Sequence, residues 1–224
     1  ISSYGNLMIS PLGGSNIIFP NNNMTVLGDL IMRGQNADSW FCPTWNGNYP
    51  TAPTARVSKT ITVMGDFDIQ GGSFGWYGNN GGGVQNIVVN GDVIVAPGAG
   101  IDVWSPNASQ SMSIGGNLIN NSTNAIAGGT STRSYVNFSQ VPVTFFGSSN
   151  ASVTNTSGNP RTDFGLVTVN KGTSQTTTLT IDIGNILNTQ TNNWLTLQNG
   201  TLRYMRANPA AGANFTISTT TPFS

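Results

Sequence analysis

From residue 61 to residue 69 the side chains fall into two alternating sets. Ile61, Val63, Phe67 and Ile69 share one phase, and Thr62, Met64, Asp66 and Asp68 share the other, with Gly65 in the apolar phase. The same count runs through 87–95, where Ile87, Val89, Val93 and Val95 flank Gly91, and through 24–32, where Met24, Val26, Leu30 and Met32 flank Gly28. A looser copy, MSIGGNLIN, occupies 112–120. A period of two predicts strands with one buried face. A glycine at the inward centre predicts a bend where a Cβ does not fit. Each phrase therefore reads as two short strands that meet at a corner.

The corner glycines stand at 28, 65, 91 and 116, so the later copies recur every 25 or 26 residues. A phrase repeating at that interval predicts a solenoid, in which each coil sets the same corner above the last. The expected fold is an all-β, right-handed parallel β-helix of about seven to nine coils, the coil length being that of known solenoids; the handedness is the one usual for such folds. The wider gap between Gly28 and Gly65 is one coil plus an insertion, WFCPTWNGNYPTAPT at 40–54, whose prolines exclude a central strand. Insertions are thus expected near 40–58 and 74–83. Other strand-like runs are 6–9, 16–19, 101–104, 135–138, 142–146, 166–170, 178–183, 194–198, 201–205 and 214–218. Beyond residue 140 the periodicity weakens. The alternative is one or more antiparallel β-sandwich domains, which would also show short strands but would not repeat one turn at a coil-like interval. The chain opens on Ile1 and stops in TTTPFS with no capping element, so residues 1–224 are expected to be a single solenoid segment of a longer protein.

Composition sharpens this picture. Charged residues are only 7% and the formal net charge is zero, which argues against nucleic acid and against anionic lipid, since both need a basic surface. No apolar run approaches the ~20 residues that span a bilayer as a helix. All the acids are Asp, and Lys occurs only at Lys59 and Lys171; with Glu and Lys so scarce, almost no helix is expected. Solubility then rests on Asn, Ser, Thr and Gly, a style common on extracellular proteins. Cys42 is the lone cysteine, so no internal disulfide forms.

The run VPVTFFGSSNASVTNTSGNPRTDFGLVTVNKGTSQTTTLTI at 141–181 resembles a unit of very large surface proteins of Bacteroidetes. These proteins are exported by the type IX secretion system, and gliding-motility adhesins are among them. The similarity lies in Val143 to Gly147, then Phe164, Val167, Val169, Asn170 and Lys171, then Leu179 and Ile181, and in the recurrent Gly-Asp phrases. It covers 141–183 well and the rest loosely. It implies an extracellular, bacterial cell-surface location and a solenoid fold, and it specifies no ligand. The C-terminal sorting domain of such proteins is absent from this sequence, and the aromatic insertion matches no unit of the type.

Candidate chemistry is sparse. The sequence has no histidine, which removes Ser-His-Asp and Cys-His catalysis and histidine metal sites. GNNGGG at 78–83 lacks the Lys-Ser/Thr of a phosphate loop. An enzyme on this scaffold would be a carbohydrate-active one, a polysaccharide lyase or glycosidase, using paired carboxylates such as Asp66 with Asp68 or Asp66 with Asp92. The simpler reading makes Asp after Gly a turn residue bonded to local backbone, so no enzymatic activity is expected. If Asp29, Asp66 and Asp92 stack, they are also candidate oxygen ligands for a calcium ion (Ca2+). The candidate binding residues are the aromatics of the two insertions, Trp40, Phe41, Trp45, Tyr49, Trp76 and Tyr77, which could meet a surface, a glycan, a partner protein or a secretion or motility machine; alternatively they cover the flank of the solenoid. The several Asn-x-Ser/Thr sequons follow from an Asn-, Ser- and Thr-rich composition, and the Thr-rich 173–180 is too irregular for an ice-binding array.

Overall fold

The architecture follows from which strands the alternating phrases pair with. The computed structural model describes residues 2–11, 16–20, 22–34, 40–42, 58–77, 84–104, 110–123, 135–155, 161–183, 186–188 and 194–205. Among these there is no helix, and every strand pairing is parallel. The antiparallel sandwich is therefore excluded, and the fold is a parallel β-solenoid.

Three strand columns form its walls. The first sheet stacks eight strands, Ser2–Tyr4, Met24–Val26, Lys59–Val63, Gln85–Val89, Gln110–Ile114, Val143–Gly147, Val167–Lys171 and Leu195–Asn199. The second stacks Leu7–Ile9, Leu30–Arg33, the start of Phe67–Tyr77, Val93–Val95, Leu118–Asn120, Ala151–Thr154, Thr178–Asp182 and Thr201–Tyr204. The third stacks Asn16–Ile18, Trp40–Cys42, the end of Phe67–Tyr77, Ala99–Trp104, Tyr135–Phe138, Arg161–Phe164 and Ile186–Asn188. The eleven-residue strand Phe67–Tyr77 belongs to both, which joins the second and third sheets through one coil.

The period-two pattern is what fills the interior. Lys59–Val63, Gln85–Val89 and Gln110–Ile114 all alternate buried and half-buried side chains. Val63, Val89, Ile114 and Phe145 stack on one inward row, and Phe67, Val93, Leu118 and Val153 on another. Each such side chain removed from water contributes about 1.5–3 kcal/mol. Larger rings join the walls and the coils: within the strand Phe67–Tyr77, Phe67 meets Phe74 edge-on and Phe74 meets Trp76, and Trp76 meets Phe138 of a later coil, which stacks on Phe164 at 6.0 Å.

Two insertions differ from their sequence-based bounds. Trp40–Cys42 is a strand of the third sheet, paired with Asn16–Ile18 and with Ser73 and Phe74. Residues 74–77 likewise continue a strand rather than a loop. In both places the strand of the third sheet is paired with a neighbour on each side. Residues 43–57 and 78–83 lie outside the described residues, as does the strand-like run at 214–218.

Candidate functional site

The repeated glycine corner is built to let successive coils touch. The Gly65 N–H donates to the Gly28 carbonyl at 2.9 Å, Gly91 to Gly65 at 3.0 Å, and Gly116 to Gly91 at 2.9 Å. A Cβ on Gly65 would sit 2.9 Å from the Gly28 oxygen and closer still to the Asp29 carboxylate. The glycine is thus required by the coil beneath it, not by the core. Beside this ladder runs a second one. The Asp29 N–H donates to Asn6 Oδ1, Asp66 N–H to Asp29 Oδ1, Asp92 N–H to Asp66 Oδ1, Asn117 N–H to Asp92 Oδ1, and Ser152 N–H to Asn117 Oδ1. Each side chain caps a backbone donor one coil on. The sequence reading missed the first rung, YGNL at 4–7. Its signal was present: Gly-Asn before Leu, as at 116–118.

Asp29, Asp66 and Asp92, the candidate calcium ligands, are therefore brought together in one column, but each spends Oδ1 on a backbone N–H. Among the described residues no three acids, cysteines or histidines are grouped to hold a metal. Asp68 is engaged elsewhere: Gln70 Nε2 donates to it, and Arg33 donates to Gln70 Oε1 at 2.7 and 2.8 Å. Asp163 is buried and paired with Arg161.

The candidate aromatic residues separate. Trp76 is fully buried between Phe74 and Phe138, so it is a core residue and not a contact residue; strand alternation turns it inward. Its Nε1 has no hydrogen-bond partner. Tyr77, Trp40 and Phe41 sit in strands whose side chains there are not described, and Trp45 and Tyr49 lie outside the described residues.

Both lysines are internal, which sequence reasoning did not foresee. Lys171 is fully buried, and its Nζ donates to Gly115 O at 2.7 Å and Phe146 O at 2.5 Å, tying together carbonyls from two earlier coils. Lys59 Nζ donates to Pro20 O at 2.9 Å and to Phe19 O at 3.4 Å. Burial lowers both pKa values, that of Lys59 to about 8. Lys59 shares an inward row with Gln85 and Gln110. Gln110 Nε2 donates to Gln85 Oε1, while Gln85 Nε2 and Gln110 Oε1 have no protein partner.

Outside, the first sheet presents a different surface. Ser3, Thr25, Thr62, Val88, Ser113, Thr144, Thr168 and Thr196 align in one outward column. No charged side chain occupies an outward position of this sheet among the described residues. Leu27, Met64, Val84 and Leu166, at its margins, are exposed. Charge lies on the other two sheets instead, at Arg33, Asp68, Asp182 and Arg203 of the second and at Asp102, Arg161 and Asp163 of the third. No helix among the described residues is long and apolar enough to cross a membrane. No protein-family model, curated protein or solved structure matches this chain.

Proposed function

We propose that the chain is a structural and adhesive segment of a large, secreted bacterial cell-surface protein, which holds loops and an uncharged flank out to a surface, a glycan or a partner protein. The observation that carries this reading is the unbroken column of eight parallel strands with a cross-coil ladder at its corner. Such a stack is stiff along its length, because each coil is hydrogen-bonded to the next. The resemblance of 141–183 to type IX-secreted adhesins, gliding-motility proteins among them, and the uncharged polar composition support the location. The acids best placed for glycosidase or lyase chemistry serve as backbone caps or hydrogen-bond partners, which favours a non-enzymatic role.

The test is bead retention under flow. Beads carrying the purified chain are expected to hold to polysaccharide films or cell-surface extracts better than bare beads. Equal retention would remove the adhesive role. Release of new reducing or unsaturated ends from the polysaccharide would instead favour the carbohydrate-active enzyme.

A further inference from the structure

The outer face of the first sheet is the part of the molecule that its interior does not explain. We infer that this face is a self-association surface, on which a second copy of the chain packs sheet against sheet. The inference stands on the face itself and not on the adhesive role.

Charge is the first argument. Two identical faces brought together by a twofold axis place like groups near like groups. A face that carries charge would have to pair it or bury it, at a penalty. The first sheet has no described charged side chain pointing outward, although the second has Arg33, Asp68, Asp182 and Arg203. In a chain so poor in charge this segregation matters: an entire wall is left neutral.

Shape is the second. The central column is made of Ser, Thr and one Val, all short and mostly β-branched. Short side chains let two sheets approach to the ~10 Å spacing of packed sheets. Leu27, Met64, Val84 and Leu166 line the margins and are 62%, 48%, 43% and 44% exposed. They would be covered by a partner sheet of the same width.

Area is the third. Eight strands at ~4.8 Å spacing, with about five residues each at ~3.3 Å, give a face of roughly 550 Å². Two copies would bury roughly 1,100 Å², just above the ~1,000 Å² that a biological interface should clear and below the ~1,200 Å² at which stable ones begin, so the association is a weak, transient one. Self-association in the range of about 1–100 µM is therefore expected. Other occupants fit less well. An ice lattice needs regular flanking rows, and here Leu27 and Met64 stand beside Asn90 and Gly115. A sugar platform needs several aligned aromatic side chains, and this face presents one, Phe146, beside a central column that has none.

Sedimentation of the whole chain across about 1–200 µM tests this. The expected result is a concentration-dependent monomer–dimer equilibrium. The double variant Thr62→Arg/Thr144→Arg, checked for folding by circular dichroism, should weaken it at least tenfold, and Ile94→Arg on the second sheet should leave it unchanged. A chain that stays monomeric throughout overturns the inference, and so does a double variant that associates like the parent or an Ile94→Arg variant that does not. If the double variant fails to fold, peroxide oxidation of the parent decides. Met64 should be protected in concentrated relative to dilute protein while Met8, exposed on the second sheet, is not. Equal oxidation of both would overturn it.

Discussion

Asp66 shows how one side chain can serve two coils. Its backbone N–H is capped by Asp29, and its Oδ1 caps Asp92. An amide oxygen can take over that acceptor role, as Asn6 and Asn117 already do. Asp66→Asn should therefore keep the fold and gain about 0.5 kcal/mol in urea unfolding at low salt, because it removes like-charge repulsion along the column; added salt should shrink the gain. Asp66→Ala should lose about 1–2 kcal/mol, the backbone donor being left without its cap. Gly91→Ala should lose about 1–3 kcal/mol by overpacking, since its Cβ would press on the Gly65 carbonyl 2.6 Å away. Because the carboxylates already have structural work, EDTA should leave the melting temperature unchanged; a fall on chelation, reversed by calcium, would show that the column also holds the ion. Lys59 sets a pH dependence whose sign follows from its lowered pKa. Between about pH 8 and the ordinary lysine value of 10.5 the unfolded chain holds more protons than the folded one, so stability rises with pH across that window. Below pH 8 the full burial penalty is present; above 10.5 it is gone. Relative to Lys59→Met, the parent should gain roughly 1–2 kcal/mol between pH 8 and 10.5, discounted for residual solvent screening. Parallel slopes for the two proteins would show that the amine is not desolvated.

At the scale of the strand and corner, the sequence was readable where one rule set the geometry. In the early coils the corner glycine removes a Cβ that would strike the coil below, and the next residue caps the coil above. Both constraints repeat with every coil, so the phrase repeats, and the strands at 24–32, 61–69 and 87–95 could be placed from it. After residue 140 the corners lengthen, and the task of glycine changes. Gly147, Gly172 and Gly200 have φ of 92°, 68° and 87°, the left-handed region that glycine adopts without strain. Their spacings of 25 and 28 residues still follow the coil, and the Gly172 N–H donates to the Gly147 carbonyl at 2.7 Å, but the Gly-Asp or Gly-Asn phrase that marked the earlier corners is gone there. Lys171 enters the same stretch and fills the widened corner with an ammonium held by carbonyl oxygens. Its burial could not be read from the pattern, since inward strand positions are ordinarily apolar. Lys171→Met should destabilise the chain by about 1–3 kcal/mol, leaving the Gly115 and Phe146 carbonyls without that donor; an unchanged urea midpoint would deny it that role. The third sheet was the least legible wall. Its strands Arg161–Phe164 and Ile186–Asn188 are short and carry no corner phrase. Trp76 misled for a related reason: a Trp beside glycines looks like a loop residue until its partner strand is known.

For the molecule as a whole, three walls divide the labour. Among the described residues the interior is apolar apart from a few enclosed polar groups, the second and third walls carry charge, and the outer face of the first is neutral. The unpartnered Gln85 Nε2 and Gln110 Oε1 call for a bridging molecule, and a crystal structure should show an ordered water between them. Clear electron density without one would mean that the pair is strained. The enclosure of both lysines has a further consequence, for chemistry done from outside. No lysine side chain offers an amine to solvent, since Lys59 is 5% and Lys171 0% exposed. An acylating reagent can reach either one only when a corner opens. The rate at which each lysine is labelled is then a clock for local unfolding, one for the early coils and one for the late coils, with no probe added to the protein.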